Sequence, residues 1–255
     1  MTHYLEHFPG DELFCRQIMD IKTRVEEHYY PELLNFMNPH EADVAQKLIG
    51  YHHGVGIAFN GGISQAEMQR ALIYPEGYEP QPEDFEIAVM EVRYPGKFVK
   101  ISHRDVLGAL MHLGLKRELY GDIVVMEEAA YFACDDRMSD YLIANLKMVG
   151  RGSVQIKKTS KVIEHHQDYR QVILSIASFR LDVILSEAFH LSRKEAMTNI
   201  QSNFVKVNYK EVVQTNYLCH NNDIISLRRH GRVKLIDLEK VNRKGKHVIE
   251  VWFYK

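Results

Sequence analysis

The sequence predicts an α+β protein in three parts. These are an N-terminal α/β domain over residues 1–78, a middle split βαβ domain over 79–162 and a basic C-terminal module over 170–255. Three observations predict it. Between Phe85 and Lys158 the apolar pattern runs strand, helix, strand, strand, helix, strand, the order of a ferredoxin-like or RRM-like sheet. Just before it, "YPEGYEPQPED" (Tyr74–Asp84) holds three prolines in eleven residues and reads as a boundary. Charge is also polarised. Residues 151–255 carry 19 Lys and Arg against 10 Asp and Glu, or +9; residues 1–150 carry 13 against 24, or −11; the whole is −2. A basic C-terminal part on an acidic chain points to a polyanionic partner.

Composition bounds the rest. With 45% hydrophobic and 26% charged residues the chain is of ordinary globular type. No run of eighteen apolar residues exists, so no membrane-spanning helix is expected. "MTHYLEHFPGDELF" lacks a basic then apolar leader, so secretion is not expected and a cytoplasmic protein is. Cys15, Cys134 and Cys219 are widely spaced and odd in number, which suits reduced thiols.

In the first domain, Leu13, Phe14, Ile18, Ile21 and Val25 lie at helical spacing, and Pro31 ends that helix. Asn38 caps a second helix that opens on Pro39. "GVGIAF" reads as a strand running into a glycine turn. Ser64 with Glu67 reads as a capping box, so a helix is expected over "SQAEMQRALIYP". In the middle domain "FEIAVMEVR" and "FVKI" are expected strands, and Ser102 caps the helix "SHRDVLGALMHLGL". "GDIVVME" and "AAYFACD" form a hairpin. "DRMSDYLIANLKMVG" is a helix to Gly150, and "SVQIKKT" is the last strand. The domain lacks the aromatic motif on which bases stack, so a scaffold or protein-contact role is expected, with at most backbone contacts from "GRGSVQIKK".

The C-terminal module opens with two short helices. Leu181, Ile184, Leu185 and Ala188 form one apolar stripe, and Asp182 suits the first turn. Ser192 and Glu195 make a second capping box, with Ala196, Met197 and Ile200 on the buried face. Arg193 and Lys194 then fill the first two helical positions, both expected at the surface. Cations there oppose the helix dipole at roughly 0.3–1 kcal/mol each. The same place suits a phosphate, because backbone N–H groups, dipole and cations would converge on it. In "FVKVNYK" the alternation puts Val205 and Val207 on one face and Lys206 and Asn208 on the other, with Tyr209 and Lys210 at the turn. Arg228, Arg229, His230, Arg232 and Lys234 fall within seven residues. "HVIEVWFY" is a final strand.

These motifs taken together, R-L-D, S-R-K-E-A, V-x-V-N and D-x-I-S-x-R over about sixty residues, closely resemble the small RNA-binding domain named after ribosomal protein S-four. The resemblance implies RNA-backbone contacts from Arg180, Ser192, Arg193, Lys194, Asn208, Lys210, Arg228 and Arg232, to which strand alternation adds Lys206. The family's glycines are replaced by Asn203, Asn222 and Arg229. Asn tolerates left-handed backbone, and Arg229 suggests a stronger phosphate grip or a different hairpin end. Upstream, "GGISQAEMQRALIYP", "ISHRDVLGALMHLGLKRELYGDIVV" and "NLKMVGRGSV" resemble the YlmH family of bacterial cytosolic proteins. That likeness covers nearly the whole chain. It implies a factor that binds ribosomal RNA on the large ribosomal subunit and engages stalled complexes carrying peptidyl-tRNA, in ribosome-associated quality control. A monomer is expected.

Other chemistry is weaker. "SHRD" lacks the remaining kinase motifs, and "HHGVGIAFNGG" matches neither dinucleotide nor phosphate-loop fingerprints. The pairs His52-His53 and His165-His166 lack metal-site spacing. An RNA-modifying enzyme of pseudouridine-synthase type is the alternative, since this small domain accompanies such enzymes. Their G-R-L-D-x-x-[TS]-x-G-L loop has no equivalent here outside Arg180–Asp182. No enzymatic activity, cofactor or metal is therefore expected.

Overall fold

The computed structural model describes residues 6–50, 54–96, 99–164 and 168–254, in two compact units, Met1–His165 and His166–Lys255. In the first unit, α1 (Glu12–His28) buries Cys15, Ile18, Ile21 and Val25. Leu13, expected on that stripe, is 83% exposed, and Phe14 is only half-buried. Five residues before Ile18 lies about 140° around a helix, so the stripe runs through Cys15 instead. The helix stops at Tyr29, whose left-handed φ of 52° turns the chain before Pro31. Helix α2 (Pro39–Gly50) starts as expected: Asn38 Oδ1 accepts from the N–H groups of His40 and Glu41, at 2.9 and 3.1 Å.

Strands β1 (Glu32–Met37), β2 (Val55–Asn60) and β3 (Gln69–Pro75) form an antiparallel sheet in the order β1-β3-β2. The helix expected over Ser64–Pro75 is thus corrected to a central strand. Its backbone pairs on both sides, and Arg70, Ala71, Leu72 and Ile73 are all buried. The N–H groups of Glu67 and Met68, which a helix cap would have satisfied, donate to the Asp122 carboxylate at 2.6 and 3.3 Å. Tertiary pairing overrides a local signal here.

The middle sheet contains β4 (Ile87–Arg93), β5 (Tyr120–Val125), β6 (Ala129–Asp135) and, from the chain's ninth strand, Gln155–Lys158. Helices α3 (His103–His112) and α4 (Ser139–Asn145) connect them. A two-residue hairpin, β7 (Met148–Val149) and β8 (Gly152–Ser153), precedes that last strand, β9. The order β5-β6-β4-β9, all antiparallel, is that of a split βαβ sheet. Two details are corrected. Val99–Ile101 form no strand, while Phe98 lies outside the described residues. The helix expected to reach Gly150 stops at Asn145, and Gly150, with φ 57°, lies in the small hairpin's turn. A Cβ there would come within 3.2 Å of the Asp105 carboxylate. One face of the sheet packs on α3 and α4; the other shares a core with Phe36, Ile63, Ala66 and Met68 of the first domain.

The second unit opens on a strand absent from the sequence reading, β10 (Tyr169–Ile176). Then come α5 (Leu181–Phe189), α6 (Arg193–Gln201), β11 (Val205–Val207), β12 (Lys210–Glu211), β13 (Ile224–Leu227), β14 (Gly231–Val241) and β15 (His247–Tyr254). The sheet order is β10-β15-β14-β13-β11-β12, and every pair is antiparallel. The stripe Leu181, Ile184, Leu185 and Ala188 is buried as expected, with Ala196 and Ile200 from α6 and Val205, Val233 and Ile249 from the sheet. Both helices therefore cover one face of this sheet.

Arg70 links the parts of the first unit. It is 1% exposed, donates from Nε to Leu34 O at 2.9 Å and from Nη1 to Glu86 O at 3.2 Å, and lies 3.5 Å from Asp135. Arg70→Met roughly keeps the volume but strands the buried Leu34 carbonyl, removes one of two donors from Glu86 O and takes one of two cations from the buried Asp135. Urea denaturation of the full chain should show a loss of about 3 kcal/mol in the unit that holds it. A loss below about 1 kcal/mol would mean that the pair is not structural.

Candidate nucleic-acid interface

The start of α6 is built as the sequence implies. The Glu195 N–H donates to Ser192 Oγ at 3.2 Å, and the Ser192 N–H returns to Glu195 Oε2 at 2.8 Å. Hydrogen bonding from the Ser192 side chain, and then from its N–H, holds the Glu195 carboxyl below its ordinary range. Lys194, at the second position, is exposed. Arg193 differs: its Nη2 lies 3.2 Å from Asp182 Oδ2. Arg180, the α5 N-cap residue, holds the same carboxylate with Nε at 3.1 Å and Nη2 at 3.1 Å. Asp182 is 1% exposed, whereas both guanidinium side chains are about half in solvent. Asp182 thus does more than suit a helix dipole: it fixes two cations from two helices. It also gives the cation at the first position of α6 a partner: Arg193 is exposed as expected, yet tied to Asp182.

The strand residues divide into two groups. Arg228 lies in the turn between β13 and β14, its guanidinium 5.2 Å from the Phe204 ring centre. Arg229 follows with φ 70°, a left-handed conformation that a glycine would hold without strain. His230 meets Phe189, the last residue of α5, edge-on at 6.0 Å, so this turn lies beside the helical hairpin that leads into Ser192. Lys206 and Arg232 instead alternate with the buried Val205, Val207 and Val233, and so project from the sheet face that the helices leave uncovered. Lys206 is 3.7 Å from Glu211, and Arg232 Nη1 is 3.4 Å from the Tyr209 hydroxyl.

Asn208 does local work. With φ 48° it donates to Asp223 Oδ1 at 2.7 Å and accepts from the Ile224 N–H at 2.8 Å, which ties two strands together. The turn there is Asn208-Tyr209, and Lys210 opens β12 opposite Val207. Asn203 and Asn222 both have positive φ, 59° and 70°.

The sequence reading missed two sets of residues. On the uncovered face of the C-terminal sheet, Trp252, Tyr254 and Tyr169 join Arg232 and Lys234. The alternation in "HVIEVWFY" was a usable sign for Trp252 and Tyr254. In the middle sheet, Glu91 is 2% exposed and meets Lys161 at 3.0 Å, Arg93 at 3.3 Å and Lys157 at 3.3 Å. Burial alone would raise the Glu91 pKa. Bonds from Lys161, Lys157 and Arg93 outweigh it and hold the group at about 2. An open cleft of about 560 Å³ beside it is lined by Arg93, Tyr94, Glu128, Tyr131 and Lys161.

The remaining chemistry is quiet. "SHRD" is a cap: Asp105 accepts from the Ser102 N–H at 2.8 Å and its hydroxyl at 2.6 Å. Cys15, Cys134 and Cys219 are free and buried, and burial pushes the thiols of Cys134 and Cys219 up to about 12. Among the described residues no three His, Cys, Asp or Glu side chains converge as a metal site; His52, His53, His165 and His166 lie outside them. No helix among them is long and apolar enough to cross a membrane.

Fold and surface together define a multidomain α+β chain with cations held around buried carboxylates. Comparison with known proteins gives the family. Residues 11–78 match the family model "YlmH, N-terminal", and residues 80–162 match "Putative RNA-binding domain in YlmH". "Ribosome-associated protein quality control protein P2" of Bacillus subtilis (strain 168) is 34% identical over 255 residues, covering 96% of each chain. The solved structure of "Cell division protein ylmH from Streptococcus pneumoniae" is 32% identical, with a TM-score of 0.52, and covers 59% of this chain and 92% of that one. The chain belongs to the YlmH family. The second model attaches RNA binding to the stretch that the sequence reading took for a scaffold, the stretch that holds the Glu91 cations.

Lys194 and Asp182 should separate when each is changed. Lys194→Glu should leave stability unchanged or raise it by up to about 1 kcal/mol, because at an exposed position it replaces a cation that opposes the helix dipole with an anion that suits it. Asp182→Ala removes the shared partner of two arginines and should cost about 2 kcal/mol, after allowance for the solvent around both guanidiniums. Chemical denaturation checks both; equal effects would contradict the role given to Asp182.

Proposed function

We propose that this chain is a non-enzymatic, cytoplasmic RNA-binding factor that acts as a monomer on the large ribosomal subunit. It binds ribosomal RNA there, together with peptidyl-tRNA, in quality control of stalled translation. The division into domains at 1–78, 79–162 and 170–255 belongs to the same reading. In it the third, S-four-like domain holds the main grip through Arg180, Ser192, Arg193, Lys194, Lys206, Asn208, Lys210, Arg228, Arg229 and Arg232.

The observation that carries the reading is the cationic rim of the second unit. The start of α6 and the Arg228–His230 turn present Arg193, Lys194, Arg228 and Arg229 beside backbone N–H groups at a helix start. Such a surface neutralises phosphates without reading bases. The near-full-length likeness to a relative named for ribosome-associated quality control supports the same setting. Within this division of labour Asp182 positions Arg180 and Arg193, and Asn208 shapes the strand from which Lys206 projects.

Binding led by phosphates responds steeply to salt. If about four phosphates are neutralised, affinity for ribosomal RNA should fall roughly 10²-fold between 50 and 200 mM salt. Fluorescence anisotropy with labelled fragments, and co-sedimentation with large subunits at both salts, measure this. A flat salt dependence would contradict the proposal.

A further inference from the structure

We propose that the uncovered face of the C-terminal sheet is a stacking site for two or three unpaired RNA nucleotides. The inference rests on the RNA-binding reading above and adds a second, chemically different contact to it. The face is set by strand alternation. Val233, Leu235, Ile249 and Val251 point into the core shared with α5 and α6. Their neighbours Arg232, Lys234, Trp252 and Tyr254 point the other way. Register aligns them into rows. Lys206 pairs with Ser226, Ser226 with Arg232, and Tyr254 with Tyr169; in the next row Lys234 pairs with Trp252 and Trp252 with Gln171. From β11 to β10 a row crosses four inter-strand steps, about 19 Å.

The side chains combine two chemistries. Tyr169 meets Tyr254 edge-on at 5.0 Å and Trp252 at 5.3 Å, which makes one aromatic group across two strands. Each outer ring carries a cation: the Arg232 guanidinium lies 3.8 Å from the Tyr254 ring centre, and Lys234 Nζ lies 5.7 Å from that of Trp252. Gln171 is exposed, and Ile173, further along the same face, is 66% exposed. A hydrophobic protein contact would favour apolar neighbours around the rings over two cations. Bases stack on aromatic rings and on arginine planes, while lysines neutralise the linking phosphates. Acidic groups bound the site: Glu211 lies beside Lys206, and Glu250 pairs with the exposed Ile173 beyond Trp252. The cationic part is therefore the Arg232, Lys234, Tyr254 and Tyr169 end.

Trp252 is the single tryptophan of the sequence, so its emission reports on this face alone. The full chain would be titrated with a fluorescein-labelled ten-nucleotide oligouridylate and, as the paired control, with a fluorescein-labelled RNA hairpin. Anisotropy gives binding, and tryptophan emission is followed with unlabelled RNA. The single strand should quench Trp252 saturably, at the concentration where it binds. Tyr254→Ala should weaken it about tenfold while Tyr254→Phe keeps it, both at wild-type circular dichroism. RNA that binds without moving Trp252 emission, or Tyr254→Ala that leaves single-strand affinity unchanged, would overturn the stacking site and leave RNA binding standing. Absence of any RNA binding by anisotropy would overturn the underlying reading as well.

Discussion

A carboxylate taken out of water must be met by positive charge or hydrogen-bond donors, and positive charge meets it at three places that organise the chain. Glu91, Asp135 and Asp182 are each no more than 2% exposed. Desolvating each ion costs several kcal/mol unless partners and hydrogen bonds offset it. Every one of them is met by more than one cation: Lys161, Lys157 and Arg93 for Glu91, Arg137 and Arg70 for Asp135, Arg180 and Arg193 for Asp182. Most of these cations keep half of their side chain in water. Arg70 apart, the anion is buried and its partners are not.

Surplus positive charge is thereby fixed in place at the surface. A lysine or arginine loose in solvent loses rotamer freedom when it binds a phosphate. One already held by a buried carboxylate loses less. Asp182 does this for the first residue of α6, so the cation that opposes the helix dipole has a structural counterpart. Lys194 lacks such a tether in the geometry described and is the more purely external charge. In the middle sheet Glu91 plays the same part, in the stretch whose family model is described as RNA-binding. Two of its three cations, Lys157 and Lys161, come from beyond the acidic first 150 residues, and the fold brings them to Glu91 of that stretch.

Local signals were legible in the sequence wherever the partner lies within a few residues. The capping boxes at Ser102 and Ser192, the buried stripe of α5 and the strand order of the middle sheet all follow from short-range patterns. Ser64 misled because the acceptor for the following N–H groups is Asp122, 55 residues beyond Glu67. Leu13 misled by its residue type, since its angular place on α1 faces solvent. The tie between Arg193 and Asp182 crosses two helices, and the Glu91 cations come from two strands and a loop. Residue spacing encodes neither. The alternation of Trp252 and Tyr254 was readable, but that Arg232 and Tyr169 flank them depends on the order β10-β15-β14. The positive φ at Asn203 and Asn222 fits the tolerance of asparagine for that conformation, whereas Arg229 holds it against its side chain's preference.

The central claim is that the second unit carries the main RNA grip, with the middle sheet secondary. Ultraviolet crosslinking of the full chain on large ribosomal subunits, followed by mass spectrometry of the crosslinked peptides, tests it most directly. The account predicts crosslinks concentrated in residues 180–254, at the start of α6, the Arg228–His230 turn and the aromatic face. Crosslinks confined to residues 80–162 would contradict it.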